Sequence, residues 1–207
     1  MLKQIPNILT LGRLVLTVVV LVMILYAPKY YADGEHPFPG FLDWAFILFV
    51  ISGLTDIFDG MAARRLKVTS KFGRMLDPLV DKILVCGAFI CFAIIGRPKL
   101  FNLDDTILSI IQWSVAGILI AREAYVTILR HIAEARGINF AATASGKFKM
   151  FTQTFAIGTV MIKMAHVQTA TWGQWFATVT FTIMVVVTVF SGFRATQRKS
   201  WKQATAE

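Results

Sequence analysis

Residues 56–81 read D-I-F-D-G-M-A-A-R-R-L-K-V-T-S-K-F-G-R-M-L-D-P-L-V-D, which puts Asp56, Asp59, Asp77 and Asp81 inside two otherwise hydrophobic stretches. An aspartate at the centre of a bilayer costs about 2.5–3.5 kcal/mol, so four uncompensated ones cost on the order of 10 kcal/mol, as much as the whole stability of a domain. Asp56 and Asp59 are three apart and Asp77 and Asp81 four apart, so each pair shares one face of a helix. With residues 65–71 as the turn, Asp59 and Asp77 lie about equally far from it and, at about 1.5 Å per residue, at similar depth. Four carboxylates are therefore expected to converge. Together they repel unless protonated or bridged, and an all-oxygen donor set suits Mg²⁺, Mn²⁺ or Ca²⁺, which predicts a site for two divalent cations.

The surrounding sequence makes these stretches membrane spans. Of 207 residues, 56% are hydrophobic and mean hydropathy is +0.64, above the usual apolar share of soluble domains. At about 20 residues per crossing this allows roughly five or six spans and leaves no room for a separate domain outside the membrane. Six hydrophobic segments can be drawn, at 8–26, 41–64, 72–95, 107–131, 142–165 and 172–193, with no ten-residue alternation of the barrel type. The fold class expected is an all-α, polytopic membrane helix bundle of six transmembrane helices, one integral-membrane domain over residues 1–207. The first segment is longer than a signal-peptide core and lacks an A-x-A site, so it is expected to remain as a span.

Sixteen of the 21 Lys and Arg residues fall on the side holding both termini, four (Lys29, Arg97, Lys99, Lys163) on the other, and Lys82 within a span. The positive-inside bias then makes both termini cytoplasmic. A net charge of +9 distributed between spans points to anionic membrane lipids as partners and not to nucleic acid. Trp172, Trp175 and Trp201 near segment ends read as interfacial anchors. Cys86 and Cys91, in one apolar run, read as core thiols. His36, His131 and His166 read as loop or interface residues without a partner.

Small residues lie beside the carboxylates. Gly53, Gly60 and Ala63 share the face of Asp56, and Gly73 precedes Asp77 by one turn, so a bulky ligand can approach the backbone there. Arg64 adds a guanidinium suited to phosphate. Helix packing also favours small residues, and boundary arginines also set topology, but packing does not call for four membrane aspartates.

The pattern D-x-x-D-G-x-x-A-R, eight residues, then G-x-x-x-D-x-x-x-D resembles the signature of the CDP-alcohol phosphotransferases at all eight defining positions: Asp56, Asp59, Gly60, Ala63, Arg64, Gly73, Asp77 and Asp81. The resemblance implies that the first three aspartates bind divalent metal, that the fourth completes the metal site or acts as base, and that the small residues admit the cytidine nucleotide. It also implies a homodimer. The segments I-P-N-I-L-T-L-G-R (5–13), F-G-R-M-L-D-P-L-V-D-K (72–82), A-R-E-A-Y-V-T-I-L-R (121–130) and S-G-K-F-K-M (145–150) are most similar to members that use CDP-diacylglycerol and glycerol 3-phosphate in bacterial inner membranes, releasing CMP. The ending S-G-F-R-A at 191–195 departs from theirs.

Within that expectation the metal ligands are Asp56, Asp59, Asp77 and Asp81, with two Mg²⁺ or Mn²⁺ ions. Asp81, the innermost carboxylate, is the expected base, since an alcohol at neutral pH needs one within about 3 Å. Gly60, Ala63, Arg64 and Gly73 are expected at the CDP-lipid. A phosphorylated acceptor needs cations, and Arg122, Arg130, Lys147 and Lys149 are available, with Arg122 foremost because it lies inside a span, its alternative being a pairing with a neighbouring acid. Lys147 and Lys149, two apart, cannot both face inward on a helix, and Lys147 is preferred because it follows Ser145 and Gly146. Glu123 and Arg130, seven apart, are expected to orient one another. Asn7, Thr10 and Arg13 share one face and either contact headgroup or acceptor or cap and anchor the helix. Rival acceptors are serine, inositol phosphate and phosphatidylglycerol. A cation transporter or channel is disfavoured because I-L-V-C-G-A-F-I-C-F-A-I-I (83–95) offers no polar relay.

Overall fold

A computed structural model describes the backbone of residues 5–30, 40–66, 71–101, 103–137 and 144–197, and the side chains of 10–29, 40–55, 78–101, 103–137 and 145–197. The described residues form six helices and no strand: α1 (Ile5–Tyr30), α2 (Phe41–Leu66), α3 (Lys71–Ile94), α4 (Asp105–Ala135), α5 (Ala144–His166) and α6 (Thr171–Thr196). Each coincides with one hydrophobic segment and overruns it by at most about a turn. Three carry a described stretch long and apolar enough to cross a bilayer: Thr10–Lys29 of α1, Asp105–Ala135 and Thr171–Thr196. In α2 the described apolar part is the shorter Phe41–Thr55.

Helix ends follow local chemistry. Gly40 donates its N–H to the Asp43 carboxylate at 2.7 Å while its carbonyl accepts from Asp43 and Trp44, the acidic half of a capping box. Asp104 caps α4 by accepting from the Thr106 N–H at 3.1 Å. At the end of α3, Gly96 takes φ +62°, and the N–H groups of Arg97 and Gly96 bond to the carbonyls of Phe92 and Ala93, a Schellman closure that a side chain at Gly96 would strain. Inside α3, Pro78 lacks the N–H that would bond the Arg74 carbonyl.

The chain divides into two compact units, residues 1–98 with 161–168 and residues 99–160 with 169–207. In the first, α1 packs against α2 and α3. Thr10, Arg13, Thr17, Val20, Ile24 and Ala27 are buried at alternating spacings of three and four, while Leu11, Val15, Val18, Val22 and Leu25 are exposed. Leu42, Ala45, Phe49 and Ser52 make the matching stripe on α2. In the second unit α6 packs on α4 and buries Ala177, Thr180, Met184, Thr188 and Ser191 while exposing Phe176, Val179, Ile183, Val186 and Phe190. Small and polar residues thus mix with Val20, Ile24, Leu42, Phe49 and Met184 on the inner faces while many bulky apolar residues face outward, an arrangement that lipid permits because the tails are as apolar as leucine. Exposed threonines satisfy their hydroxyls locally, as Thr154 and Thr182 do on the carbonyls of Met150 and Thr178.

Helices approach closely at Gly87 of α3, where an added Cβ would stand 2.7 Å from Leu21 Cδ1 of α1. A leucine tip can yield to a single methyl, but a β-branched side chain must push the helices apart. Gly87→Val is expected to destabilise the protein by about 1–3 kcal/mol and Gly87→Ala by clearly less, read as unfolding midpoints in detergent by circular dichroism.

Candidate active site

In the first unit α1 and α3 meet around a charged pair. Arg13, 3% exposed, donates from Nη2 to Oδ1 of Asp81, which is 26% exposed. No spacing along the chain points to this contact across 68 positions, although Thr10, Arg13 and Thr17 stand on the buried stripe of α1. Arg13 is therefore neither a helix cap nor a surface anchor.

Asp56 and Asp59 stand on α2 and Asp77 on α3, as do Gly60, Ala63 and Arg64 on α2 and Gly73 on α3. Their side chains, and that of Asn7 on α1, lie outside the described residues. Both aspartate pairs thus occupy continuous helices at spacings that share a face, and a four-carboxylate donor set is chemically matched to hard divalent cations. Among the residues whose side chains are described, no cluster of three or more metal-ligating groups occurs.

The second unit assembles a polar cluster from three helices. On α4, Arg122 donates from Nη1 to Glu123 Oε1 at 3.0 Å and from Nη2 to Ser191 Oγ of α6 at 2.9 Å. Lys149 of α5 donates to the same Glu123 oxygen. The side chains of Arg122, Glu123 and Lys149 are only 12, 13 and 11% exposed. Ser191 passes its hydroxyl hydrogen to the Thr188 carbonyl at 2.9 Å, and Gln153 of α5 donates to the Thr188 hydroxyl at 3.3 Å. Gly192 makes the space: a Cβ there would lie 3.2 Å from Arg122 Cγ.

Of the four expected acceptor cations, Arg122 and Lys149 are brought together. Arg130 is half-buried, with its Nε buried and without a hydrogen-bond partner among the described residues, and Lys147 is exposed. The preference for Lys147 over Lys149 is thereby corrected: α5 buries Lys149, Thr152, Gln153, Ala156 and Ile157 on one stripe, and Lys147 falls on the face of Phe151 and Phe155. Glu123 turns to Arg122 and Lys149 and not to Arg130. His166 also gains a partner that the sequence did not suggest, since its Nε2 lies 2.6 Å from Asp43 Oδ1 in the first unit.

The family model described as CDP-alcohol phosphatidyltransferase matches residues 3–193. A Bacillus subtilis protein named CDP-diacylglycerol--glycerol-3-phosphate 3-phosphatidyltransferase is 31% identical over 202 residues, 96% of each chain. A Mycobacterium tuberculosis protein named probable phosphatidylglycerophosphate synthase is 32% identical over 162 residues, 78% of this chain and 68% of its own. A Cereibacter sphaeroides protein with the same name as the Bacillus one is 34% identical over 161 residues, 77% of this chain and 63% of its own.

The Arg13–Asp81 contact is testable as a pair. In a double-mutant cycle of Arg13→Met and Asp81→Asn, read as unfolding free energy in detergent, a coupling of about 1–3 kcal/mol is expected, with the two changes together costing less than their sum.

Proposed function

We propose that this chain, which belongs to the CDP-alcohol phosphatidyltransferase family and is a CDP-diacylglycerol-dependent phosphatidyltransferase, uses glycerol 3-phosphate as its acceptor and forms phosphatidylglycerophosphate and CMP. The observation that carries the choice of acceptor is the buried cluster of two cations and one carboxylate, Arg122, Lys149 and Glu123, whose guanidinium and ammonium donors suit a phosphorylated alcohol over serine. The names of relatives aligned over most of the chain support the same choice.

In the reaction, the acceptor's primary hydroxyl oxygen attacks the lipid-bearing phosphorus, a new P–O bond forms, and the pyrophosphate P–O bond breaks with its electron pair leaving on CMP. Asp56, Asp59, Asp77 and Asp81 would hold two divalent cations, Mg²⁺ or Mn²⁺, which supply charge neutralisation at the phosphoryl oxygens and the departing phosphate. Asp81 takes the hydroxyl proton, and Arg13 beside it holds the carboxylate in place. Gly60, Ala63 and Gly73 give the nucleotide access to the helix backbone, and Arg64 binds phosphate. Arg122 and Lys149 bind the acceptor's phosphate, with Arg130 and Lys147 as further cations for its approach and Asn7 and Thr10 as polar contacts near the start of α1.

The same reading makes residues 1–207 one catalytic domain of six spans in a bacterial cytoplasmic membrane, with both termini and the chemistry on the cytoplasmic side. The excess of Lys and Arg on that side supports it, and the family resemblance supports a homodimer.

Purified protein in mixed micelles with labelled CDP-diacylglycerol is expected to release CMP with glycerol 3-phosphate but not with serine or inositol phosphate, and to stop when a chelator is added. Asp81→Asn is expected to lower kcat by about 10²-fold or more. CMP release with serine and none with glycerol 3-phosphate would overturn the choice of acceptor, and wild-type turnover by Asp81→Asn would overturn the base.

A further inference from the structure

The geometry points to Glu123 as a positioning residue that sets Arg122 and Lys149 as a two-pronged cradle for the phosphate of the acceptor, an inference that rests on the phosphorylated acceptor proposed above. Arg122 and Glu123 are consecutive on α4, so their Cβ atoms point about 100° apart around the helix. The Arg122 fork nonetheless reaches Glu123 Oε1 at 3.0 Å, which turns the guanidinium across the helix surface toward α5 and α6. Ser191 Oγ, 2.9 Å from Nη2, fixes the other arm, and the bare backbone of Gly192 lets the arginine stem lie against α6. The plane of the guanidinium is thus defined by two partners on different helices.

Lys149 arrives from α5 and ends on the same carboxylate oxygen that Arg122 uses. Without Glu123 these two cations, each about nine-tenths buried, would repel and turn away from one another. With it they are drawn to one point. Two cationic groups on one carboxylate oxygen in a poorly hydrated setting offer an incoming anion charge-assisted donors. Each Nη of Arg122 carries a second N–H beyond the ones given to Glu123 and Ser191, which is the donor set that two phosphate oxygens take from an arginine fork. Glu123 need not touch the phosphate. Its work is to hold the two groups that do, and Ser191 with the Thr188–Gln153 contacts behind it holds the frame.

A residue of this kind is recognised by a selective change in acceptor affinity. Glu123→Gln keeps the size and an oxygen acceptor and removes the charge, so KM for glycerol 3-phosphate is expected to rise by roughly tenfold while KM for CDP-diacylglycerol changes less than twofold. Glu123→Asp, which restores the charge on a shorter stem, is expected to recover part of the loss. Inorganic phosphate, added as a competitor, is expected to inhibit wild type more strongly than Glu123→Gln. A purely structural role predicts instead that both KM values stay put and that only the amount of folded, active protein falls. That result overturns the inference, as does an equal rise in both KM values. Should Glu123→Gln not fold, the Glu123→Asp variant decides by the same comparison of KM values. Wild-type protein that ignores glycerol 3-phosphate but uses another phosphorylated alcohol refutes the acceptor alone, and the comparison is then read with that alcohol. Use of an unphosphorylated acceptor only would refute both.

Discussion

A charge placed among apolar helices has to find an opposite charge or a dense set of donors, because neither lipid tails nor packed side chains can solvate it. This requirement ties the described helices together at the points where chemistry is expected. Arg13 of α1 is matched to Asp81 of α3, and Glu123 of α4 gathers Arg122 and Lys149 of α5, while Asp43 at the head of α2 meets His166 at the foot of α5. Each contact joins segments far apart in the chain except the Arg122–Glu123 step, and that one is completed from α5 and α6. Apolar packing in a membrane is nearly indifferent to which helix lies beside which, since lipid offers comparable contacts. Polar pairs are selective, and they fix which helices adjoin within each unit.

The rest of the packing accommodates those pairs. Many bulky residues turn outward on α1 and α6, and the alanines, glycines, serines and threonines that share the buried stripes with Val20, Ile24 and Met184 let backbones come close. Close backbones let a side chain of moderate length reach across, as Ser191 does to Arg122 beside Gly192. A larger residue at either position would hold the helix away and leave the guanidinium without its second partner. Small residues in the second unit therefore serve geometry as much as van der Waals contact.

Much of this could be read in the sequence because hydrophobic length and helical period are one-dimensional properties. Six apolar runs gave six helices, and Arg122 within a span marked the cluster. What went astray depended on the rotation of one helix about its axis. Lys147 was preferred for its small neighbours, yet Phe148, Phe151 and Phe155 claim the outer face of α5 and turn Lys149 inward with Thr152 and Gln153. In a membrane the bulky aromatics indicate the lipid side, and that rule applied to α5 would have selected Lys149. The partner of Glu123 was misjudged for a related reason. A spacing of seven along α4 brings Arg130 near one stripe, but long flexible side chains obey the demands of neighbouring helices before those of their own. Arg13–Asp81 and Asp43–His166 could not be found by spacing at all, because each depends on a tertiary approach.

The two buried ionic groups differ in a way that separates their work. Arg13 with Asp81 is neutral as a pair, so it exerts little pull on a distant anion and acts chiefly on the orientation of its own carboxylate. Arg122 and Lys149 set two cationic groups on the one carboxylate of Glu123, with about a tenth of each side chain exposed. Bringing in a phosphate restores contacts that burial has removed, whereas bringing one to the neutral pair would set it against a carboxylate. In the proposed reaction this difference suits Arg13 to holding a carboxylate and suits Arg122 with Lys149 to holding the acceptor's phosphate.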